Sequence, residues 1–334
     1  MPVTIVDVAR KAGVSTATVS RVLHKSPKVD ATTRARVRET LEELGYSPNI
    51  PARSLVTKRT RTVGLVITTI ADPFFADIVR GVEDVAIEND YGVILCDSNA
   101  DPEREMATIR LFQEKRVDGI IVASSRVGDL YLGLLEKTKV PVVLVNNEKT
   151  GAYVYSVGTD DVAGGEMATE YLIQLGHRRI GYIAGLADAK STYDRLTGYR
   201  QALRKHGLPF DSSLLAPGNA RPDGGLSGMN QLLTDCPSLT AVFCYNDLTA
   251  IGALKALRIA GKGVPDLVSV MGYDDLLFAA YSEPPLTTIE QRKYDLGAIA
   301  MRMLLDLQSG VESVSNNVLE PRLVIRESCS PAKS

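Results

Sequence analysis

Near the start of the chain, residues 13–23 read GVSTATVSRVL. Val14, Val19, Val22 and Leu23 fit the buried side of a helix, and the remainder is hydroxyls (Ser15, Thr16, Thr18 and Ser20) followed by Arg21. Ser and Thr are indifferent helix formers, so their crowding on an exposed face needs a reason. Small hydroxyls let a helix backbone lie close in a DNA major groove and bond phosphates or base edges. Arg21 can grip a guanine through two parallel donors, worth ~1–3 kcal/mol of base discrimination. Ala17 and the methyls of Thr16 or Thr18 can touch a thymine methyl. A capped surface helix that is merely Thr-rich is the plain alternative.

A second set of residue types suits a polyhydroxylated ligand. Asp72 and Asp274 accept, Arg195 donates in a fixed fork, and Asn146, Asn246 and Gln291 do both. A sugar offers hydroxyls for all of these, and C–H faces that pack on aromatics. The chain has no Trp, so Phe74 and Phe75 of DPFF offer the flat surface; the alternative is a turn followed by core aromatics.

Other chemistries lack their motifs. There is no GxGxxG behind a strand, no Walker A, no GxSxG and no HExxH, so an enzyme is not expected. Cys96, Cys236, Cys244 and Cys329 lie far apart without CxxC or Cys/His spacing, which argues for packed thiols and against a metal or other cofactor. His24, His177 and His206 have no triad partner in sight and are expected at the surface or at caps. No run approaches the ~18 apolar residues of a membrane span, and no apolar signal segment opens the chain. The expectation is a cytoplasmic protein with no membrane partner.

The elements that must position these residues divide by charge and by period. Residues 1–60 hold 11 Lys and Arg against 5 Asp and Glu, a charge of +6 that leaves −8 for the rest. A basic head on an acidic body suggests that only the head meets a polyanion. Thr4 with Asp7 forms a capping-box signature, Ile5, Val8, Ala9 and Ala12 mark a buried face, and Gly13 makes a tight turn. Ser15 caps the next helix, and a third helix fits 31–44 behind Asp30, with Val37, Leu41 and Leu44 on one face. Two short helices joined by a Gly-containing turn are a helix-turn-helix signature. Residues 45–61, GYSPNIPARSLVTKRTR, read as a linker holding a helix too short to stand alone. Leu55 there either packs on the body or wedges between base pairs.

From residue 62 short apolar runs alternate with helical stretches: TVGLVITTI, GVILCDS, DGIIVAS, VPVVLVN, RIGYIAG, TAVFCYN and LVSVMGYD. Such alternation means parallel sheets covered on both faces. The expected fold class is α/β, with a small all-α head and hinge helix followed by two doubly wound parallel-sheet lobes. Ligands of such sheets bind at the carboxyl ends of strands, where Asp97, Asn146, Asn147, Asn246, Asp247 and Asp274 fall. Asp160–Asp161, at a helix start, reads as a pair of caps.

The stretches TIVDVARKAGVSTATVSRVLH and YSPNIPARSL, together with the body, resemble the LacI family of bacterial transcription regulators over essentially the whole chain. The resemblance implies a homodimer, each head reading half of a near-palindromic operator in double-stranded DNA. It implies operator contacts at Thr16, Ala17, Ser20 and Arg21, backbone or minor-groove roles for Tyr46, Asn49 and Ala52, and intercalation by Leu55. His24 stands where Asn is usual, Pro51 where an aliphatic residue is usual, and Arg53 replaces a shorter side chain and adds a phosphate contact. The body is similar to periplasmic sugar receptors of the ribose-binding type. That implies pocket roles at Asp72, Phe74, Phe75, Asn146, Asn147, Arg195, Asn246, Asp274 and Gln291, with Asp160 near the pocket. Asn146 and Asn147 stand where ribose receptors carry Asp and Arg, which argues against ribose. Ala220 stands where a purine-responsive member carries a stacking aromatic, which argues against a nucleobase. The expected domains are 1–46 (helix-turn-helix), 47–61 (hinge helix and linker) and 62–334 (effector binding and dimerisation). The last has an N-lobe of about 62–160 plus 291–320 and a C-lobe of about 161–290 plus 321–330.

The expected function is a DNA-binding repressor whose operator affinity is controlled by a small ligand, a sugar or polyol, held between the lobes. Two other readings stand beside it: a sugar receptor or carbohydrate-processing enzyme with an incidental head, and a regulator controlled by a protein docking on the body.

Overall fold

The computed structural model describes residues 3–23, 26–46, 59–124, 140–147, 155–187, 189–311 and 316–333. The chain divides into two compact units, Met1–Thr60 and Arg61–Ser334.

The first unit holds α1 (Ile5–Ala12), α2 (Thr16–Leu23) and α3 (Ala31–Glu43). Each starts at the expected cap. Thr4 and Asp7 form a reciprocal capping box, Ser15 Oγ accepts from the Thr18 N–H at 3.1 Å, and Asp30 Oδ1 accepts from the Thr33 N–H at 2.8 Å. Gly13 ends α1 at φ 63°, a left-handed conformation that a side chain would strain. The core is small and β-branched or methyl-sized: Val8, Ala9, Ala12, Val19, Val22, Val29 and Val37. Arg34 ties down the α2–α3 connection by donating to the Ser26 and Val29 carbonyls at 2.9 and 3.0 Å.

The second unit contains two parallel sheets. The first is built from β1 (Thr62–Ile67), β2 (Gly92–Asp97), β3 (Gly119–Ala123), β4 (Val142–Val145), β5 (Ser156–Thr159) and β11 (Asn316–Leu319), in the order β11-β5-β4-β3-β1-β2. One face is covered by α4 (Phe74–Glu88) and α10 (Lys293–Gln308), burying Leu65, Ile78, Val82, Leu296 and Met301. On the other face α5 (Pro102–Glu114) buries Ile109 and Phe112 against Val66, Ile120 and Val122. The alternation of Leu65 and Val66 between faces is the two-residue period of a strand.

The second sheet has β6 (Ile180–Ile183), β7 (Leu215–Ala216), β8 (Ala241–Cys244) and β9 (Ser269–Met271), ordered β7-β6-β8-β9. Tyr182 and Phe243 face α6 (Asp161–Gln174) and α7 (Lys190–Lys205). Ile183 and Val242 face α8 (Pro222–Asp235) and α9 (Asp247–Ile259). The α6–α7 contact is backbone to backbone: a Cβ on Gly165 would run into the Arg195 carbonyl, and one on Gly198 into the Val162 carbonyl. These two glycines therefore set how near Arg195 lies to the start of α6.

The chain passes between the lobes three times. It leaves β5 to enter α6, leaves β9 to enter α10, and leaves β11 toward the C-terminal segment. β10 (Thr288–Glu290) and β12 (Arg322–Val324) pair antiparallel across the last two passages. No helix among the described residues is long and apolar enough to cross a membrane. The four cysteines are free. His177 departs from the surface or cap role expected of it. It is buried, with Nδ1 2.9 Å from Thr240 Oγ1 and Nε2 3.0 Å from both Ser269 Oγ and the Ser330 carbonyl, because the C-terminal segment folds over it.

Candidate functional site

Two surfaces collect the chemistry. On α2, Val19 and Val22 point into the head core while Thr16, Ala17 and Arg21 are exposed and Ser20 is half-buried. The exposed face therefore carries small groups and one guanidinium, with no large side chain to hold the helix backbone away from a groove. Tyr46 packs partly against the head core and its N–H donates to the Leu41 carbonyl. His24, Asn49, Pro51, Ala52, Arg53 and Leu55 lie outside the described residues.

The second surface is a cleft of about 640 Å³ at the carboxyl ends of the strands, between the lobes. From the first lobe Asp72, Phe74, Phe75, Asn146 and Asn147 line it. Asp72 is anchored by the Phe74 N–H, which donates to Oδ1 at 2.9 Å. Burial raises its pKa, opposed by that bond and by the charges of Arg195 and Arg221. Phe74 and Phe75 begin α4 and meet edge to face at 5.3 Å; both are largely buried, so they line the cleft as part of the core.

From the second lobe and the passages come Arg195, Asn246, Asp274 and Gln291. Arg195 is the centre. Its Nε donates to Asp161 Oδ1 at 2.9 Å and its Nη1 to the Tyr245 carbonyl at 2.6 Å. Nη1 also lies 3.6 Å from Asp274 Oδ1. The guanidinium stacks 3.7 Å from the centre of the Tyr273 ring and 4.5 Å from that of Tyr245. Burial opposes its charge, but Asp161, Tyr245 and Asp274 more than offset that and hold it protonated. One guanidinium cannot fully neutralise two carboxylates. Asp274 is the farther of the two, and burial drives its pKa well up against the pull of Arg195.

A line of hydrogen bonds links the lobes through this centre. The Thr159 N–H donates to Asn146 Oδ1 at 3.0 Å, Asn146 Nδ2 to Gln291 Oε1 at 3.3 Å, and Gln291 Nε2 to Asp274 Oδ1 at 2.5 Å. The line thus runs from the ends of β4 and β5 of the first lobe to Asp274, which faces Arg195 of α7 as an ion pair at 3.6 Å.

Some expected residues are engaged elsewhere. Asn246 caps α9, its Oδ1 accepting from the Thr249 N–H and hydroxyl at 2.9 and 2.7 Å and its Nδ2 donating to the Ala220 carbonyl at 3.2 Å. Asn147 Nδ2 donates to the Val122 carbonyl at 3.4 Å. Asp160 caps α6, accepting from the Ala163 N–H at 2.9 Å, and is not among the cleft-lining residues. Its neighbour Asp161 lines the cleft and pairs with Arg195. Sequence reasoning missed Asp161 and Tyr245. The only signals were an acidic pair at a strand-to-helix turn and a Tyr directly ahead of a strand-end Asn. Among the described residues no group of three or more His, Cys, Asp or Glu is arranged to hold a metal ion.

Residues 4–49 match the family described as bacterial regulatory proteins, lacI family, and residues 169–329 match a periplasmic binding protein-like domain. The chain is 40% identical to the HTH-type transcriptional regulator RegA of Clostridium saccharobutylicum, over 98% of this chain and 99% of that one. It is 36% identical to the HTH-type transcriptional repressor PurR of Haemophilus influenzae, over 97% and 98%. Among solved structures it is similar to the Lac repressor dimer bound to operator and the anti-inducer ONPF, at 29% identity and a TM-score of 0.89, over 99% and 100%. It is also similar to a complex of the transcriptional regulator CelR with cellobiose, at 36% identity and a TM-score of 0.74, over 98% and 99%.

Proposed function

The chain belongs to the lacI family of bacterial regulatory proteins, a non-enzymatic family of transcriptional regulators, and on that premise we propose that it is a repressor whose hold on a near-palindromic operator is set by a sugar or polyol bound between its lobes. The observation that carries the ligand half is the line of polar groups from Asn146 through Gln291 and Asp274 to Arg195. It spans both lobes and offers acceptors and fixed donors to one guest. Arg195 has five N–H donors, and those not engaged by Asp161 and Tyr245 serve the ligand; Asp72 accepts from the opposite wall. Asn246 and Asn147 act by fixing the walls. The cellobiose in the CelR complex supports a sugar, and Ala220 leaves no aromatic at that position on which a purine would stack.

A guest that bonds Asp72 of one lobe and Arg195 of the other stabilises the closed arrangement, by no more than its differential affinity for closed over open. In a homodimer, closure changes the separation of the two β1 strands, from which the linkers with Tyr46, Asn49, Ala52 and Leu55 lead back to the heads. The exposed Leu277, Phe278 and Tyr281 offer an apolar surface to a second copy, and the Lac repressor structure is a dimer on operator. Thr16, Ala17, Ser20 and Arg21 then read base edges, with binding that weakens steeply as salt rises because phosphate contacts release counterions.

The test is thermal unfolding of the full chain with cellobiose, ribose, glucose, hypoxanthine and guanine. A ligand at a hundredfold excess over its Kd stabilises by ~2.7 kcal/mol. A sugar is expected to raise the midpoint, and Asp274→Ala to abolish that rise. Stabilisation by a purine alone overturns the sugar reading; a full rise in Asp274→Ala moves the site out of the cleft.

A further inference from the structure

We propose that Lys293 is a positioning residue for the cleft: it holds the backbone that aims Asp274 and ties that backbone to the first lobe. The inference rests on the cleft being the ligand site and adds a residue outside its lining.

Lys293 opens α10 and is only 6% exposed. A buried ammonium is costly unless its donors are satisfied. Here Nζ donates to the Asp274 carbonyl, and to the Asp275 carbonyl at 2.9 Å. Those two residues have φ of 107° and 49°, and Arg292, directly ahead of Lys293, has φ of 52°. Non-glycine residues in this region are strained and persist only when their surroundings hold them. The surroundings are visible. The Asp274 N–H donates to the Ile289 carbonyl at 2.7 Å, the Leu276 N–H to Asp247 Oδ2 at 2.7 Å, and Arg326 Nη2 to Asp275 Oδ1 at 2.7 Å. All of these lie on the second lobe or the passages. Lys293 is the tie from a helix of the first sheet.

The arrangement has a direct consequence for the ligand. The position of the Asp274 carboxylate, and so its bonds to Gln291 and Arg195, follows from where its Cα is held. A long alkyl stem reaching from α10 fixes that Cα relative to the first lobe. α10 in turn is locked onto α4, since a Cβ on Gly297 would strike the Ile78 carbonyl, and α4 starts with the cleft-lining Phe74 and Phe75. A guest bound by Asp274 therefore pulls on both lobes at once.

The experiment uses the full chain, wild type and Lys293→Met, with hydrogen exchange followed on the segment 272–278 and on α2 and α8 as references. In Lys293→Met the amides of Asp274 to Leu276 are expected to exchange at least tenfold faster while the references keep their rates. Titrated with cellobiose, ribose and glucose, the variant is expected to bind whichever sugar stabilises the wild type at least tenfold more weakly. Unchanged exchange at 272–278, acceleration that is equal everywhere, or unaltered sugar affinity overturns the proposal. If Lys293→Met does not fold, Lys293→Gln, with one shorter donor, is read by the same criteria. If no sugar binds the wild type, the sugar reading fails on its own, and the exchange data still decide the role of Lys293.

Discussion

The carboxylates that cap the helices of the head and the carboxylates enclosed in the body are pushed in opposite directions, and the cause is access to water. Asp7 is half-buried and Asp30 exposed, both at helix starts and open to solvent. The Thr4 hydroxyl and N–H lower the pKa of the first, and the Thr33 N–H that of the second. Asp247 and Asp274 are buried and Asp72 is half-buried, and desolvation raises all three. The head is a structure made by local bonds in solvent, with its cations other than Arg34 exposed among the described residues. The cleft is a structure made by tertiary enclosure, with its cation and anions matched against one another until a guest intrudes.

The largest expected effect follows from that enclosure. Arg195→Ala removes the cation between Asp161 and Asp274 and leaves two buried carboxylates without it. Breaking a buried pair from one side costs ~3–5 kcal/mol, and urea unfolding of the body should show a loss of that order, with the head unaffected. The loss should be smaller at pH 5 than at pH 8, because Asp274, whose pKa burial already raises, can then take up a proton. A loss below ~1 kcal/mol would mean that the site is wetter than its burial indicates, and the contrast with the head would dissolve.

Acidity sharpens the same contrast. Burial lifts Asp247 to about 7, opposed by bonds from the Thr288 hydroxyl and the Leu276 N–H. Its proton is held more tightly in the folded than in the unfolded chain, where the value is about 4. Its contribution is therefore fully present below about pH 4 and is lost as pH rises through about 7. Asp72 and Asp274 carry the same sign. For Asp7 and Asp30, whose folded values are depressed, the contribution is present above the unfolded value and is lost as pH falls through the folded one. Calorimetry between pH 4 and 8 should show Asp247→Asn removing a part of the body's stability that is lost as pH rises, by up to a few kcal/mol; His177, pushed down by burial, works in the opposite sense and is left in place by that substitution. An unchanged pH profile in Asp247→Asn would contradict this.

The same division explains what could be read from the sequence. The head was legible because its determinants are local: Thr4 with Asp7, Gly13, Ser15 and Asp30 act within three residues of themselves. The seven apolar runs of the body became strands β1 to β4, β6, β8 and β9. β5, β7, β10, β11 and β12 went unseen. They have two to four residues, β7 being only Leu215–Ala216 and the others of mixed polarity, and all but β5 lie at a sheet edge or in the passages, so no long apolar run marks them. In the cleft, Asp274 and Arg195 were visible by type and position. That Asp161 rather than Asp160 turns inward depends on the geometry of one turn. That Asn246 spends its amide oxygen on capping α9 follows from the helix starting at Asp247, so that the Thr249 N–H meets it. His177 is covered by a segment about 150 residues away, as Ser330 shows, and nothing near it in the chain reports that.

The smallest effects test whether α2 separates folding from reading. Ser15 accepts from the Thr18 N–H at 3.1 Å and so satisfies one orphan donor at the start of the helix. Ser15→Ala should lower head stability by ~1 kcal/mol and weaken all DNA binding in proportion, with no change in sequence preference. Arg21 is exposed on the same helix. Arg21→Ala should leave the head melting curve in place while relaxing discrimination at one base pair of each half-site by ~1–3 kcal/mol. Gel shifts on the operator and on scrambled DNA over a range of salt distinguish the two. If Arg21→Ala instead weakens both DNAs equally and lowers the salt slope by about one, Arg21 grips a phosphate, and base reading falls to Thr16, Ala17 and Ser20. The contrast between a head that folds by its caps and reads by its exposed face would survive that result. It would not survive Ser15→Ala altering which base pairs are preferred.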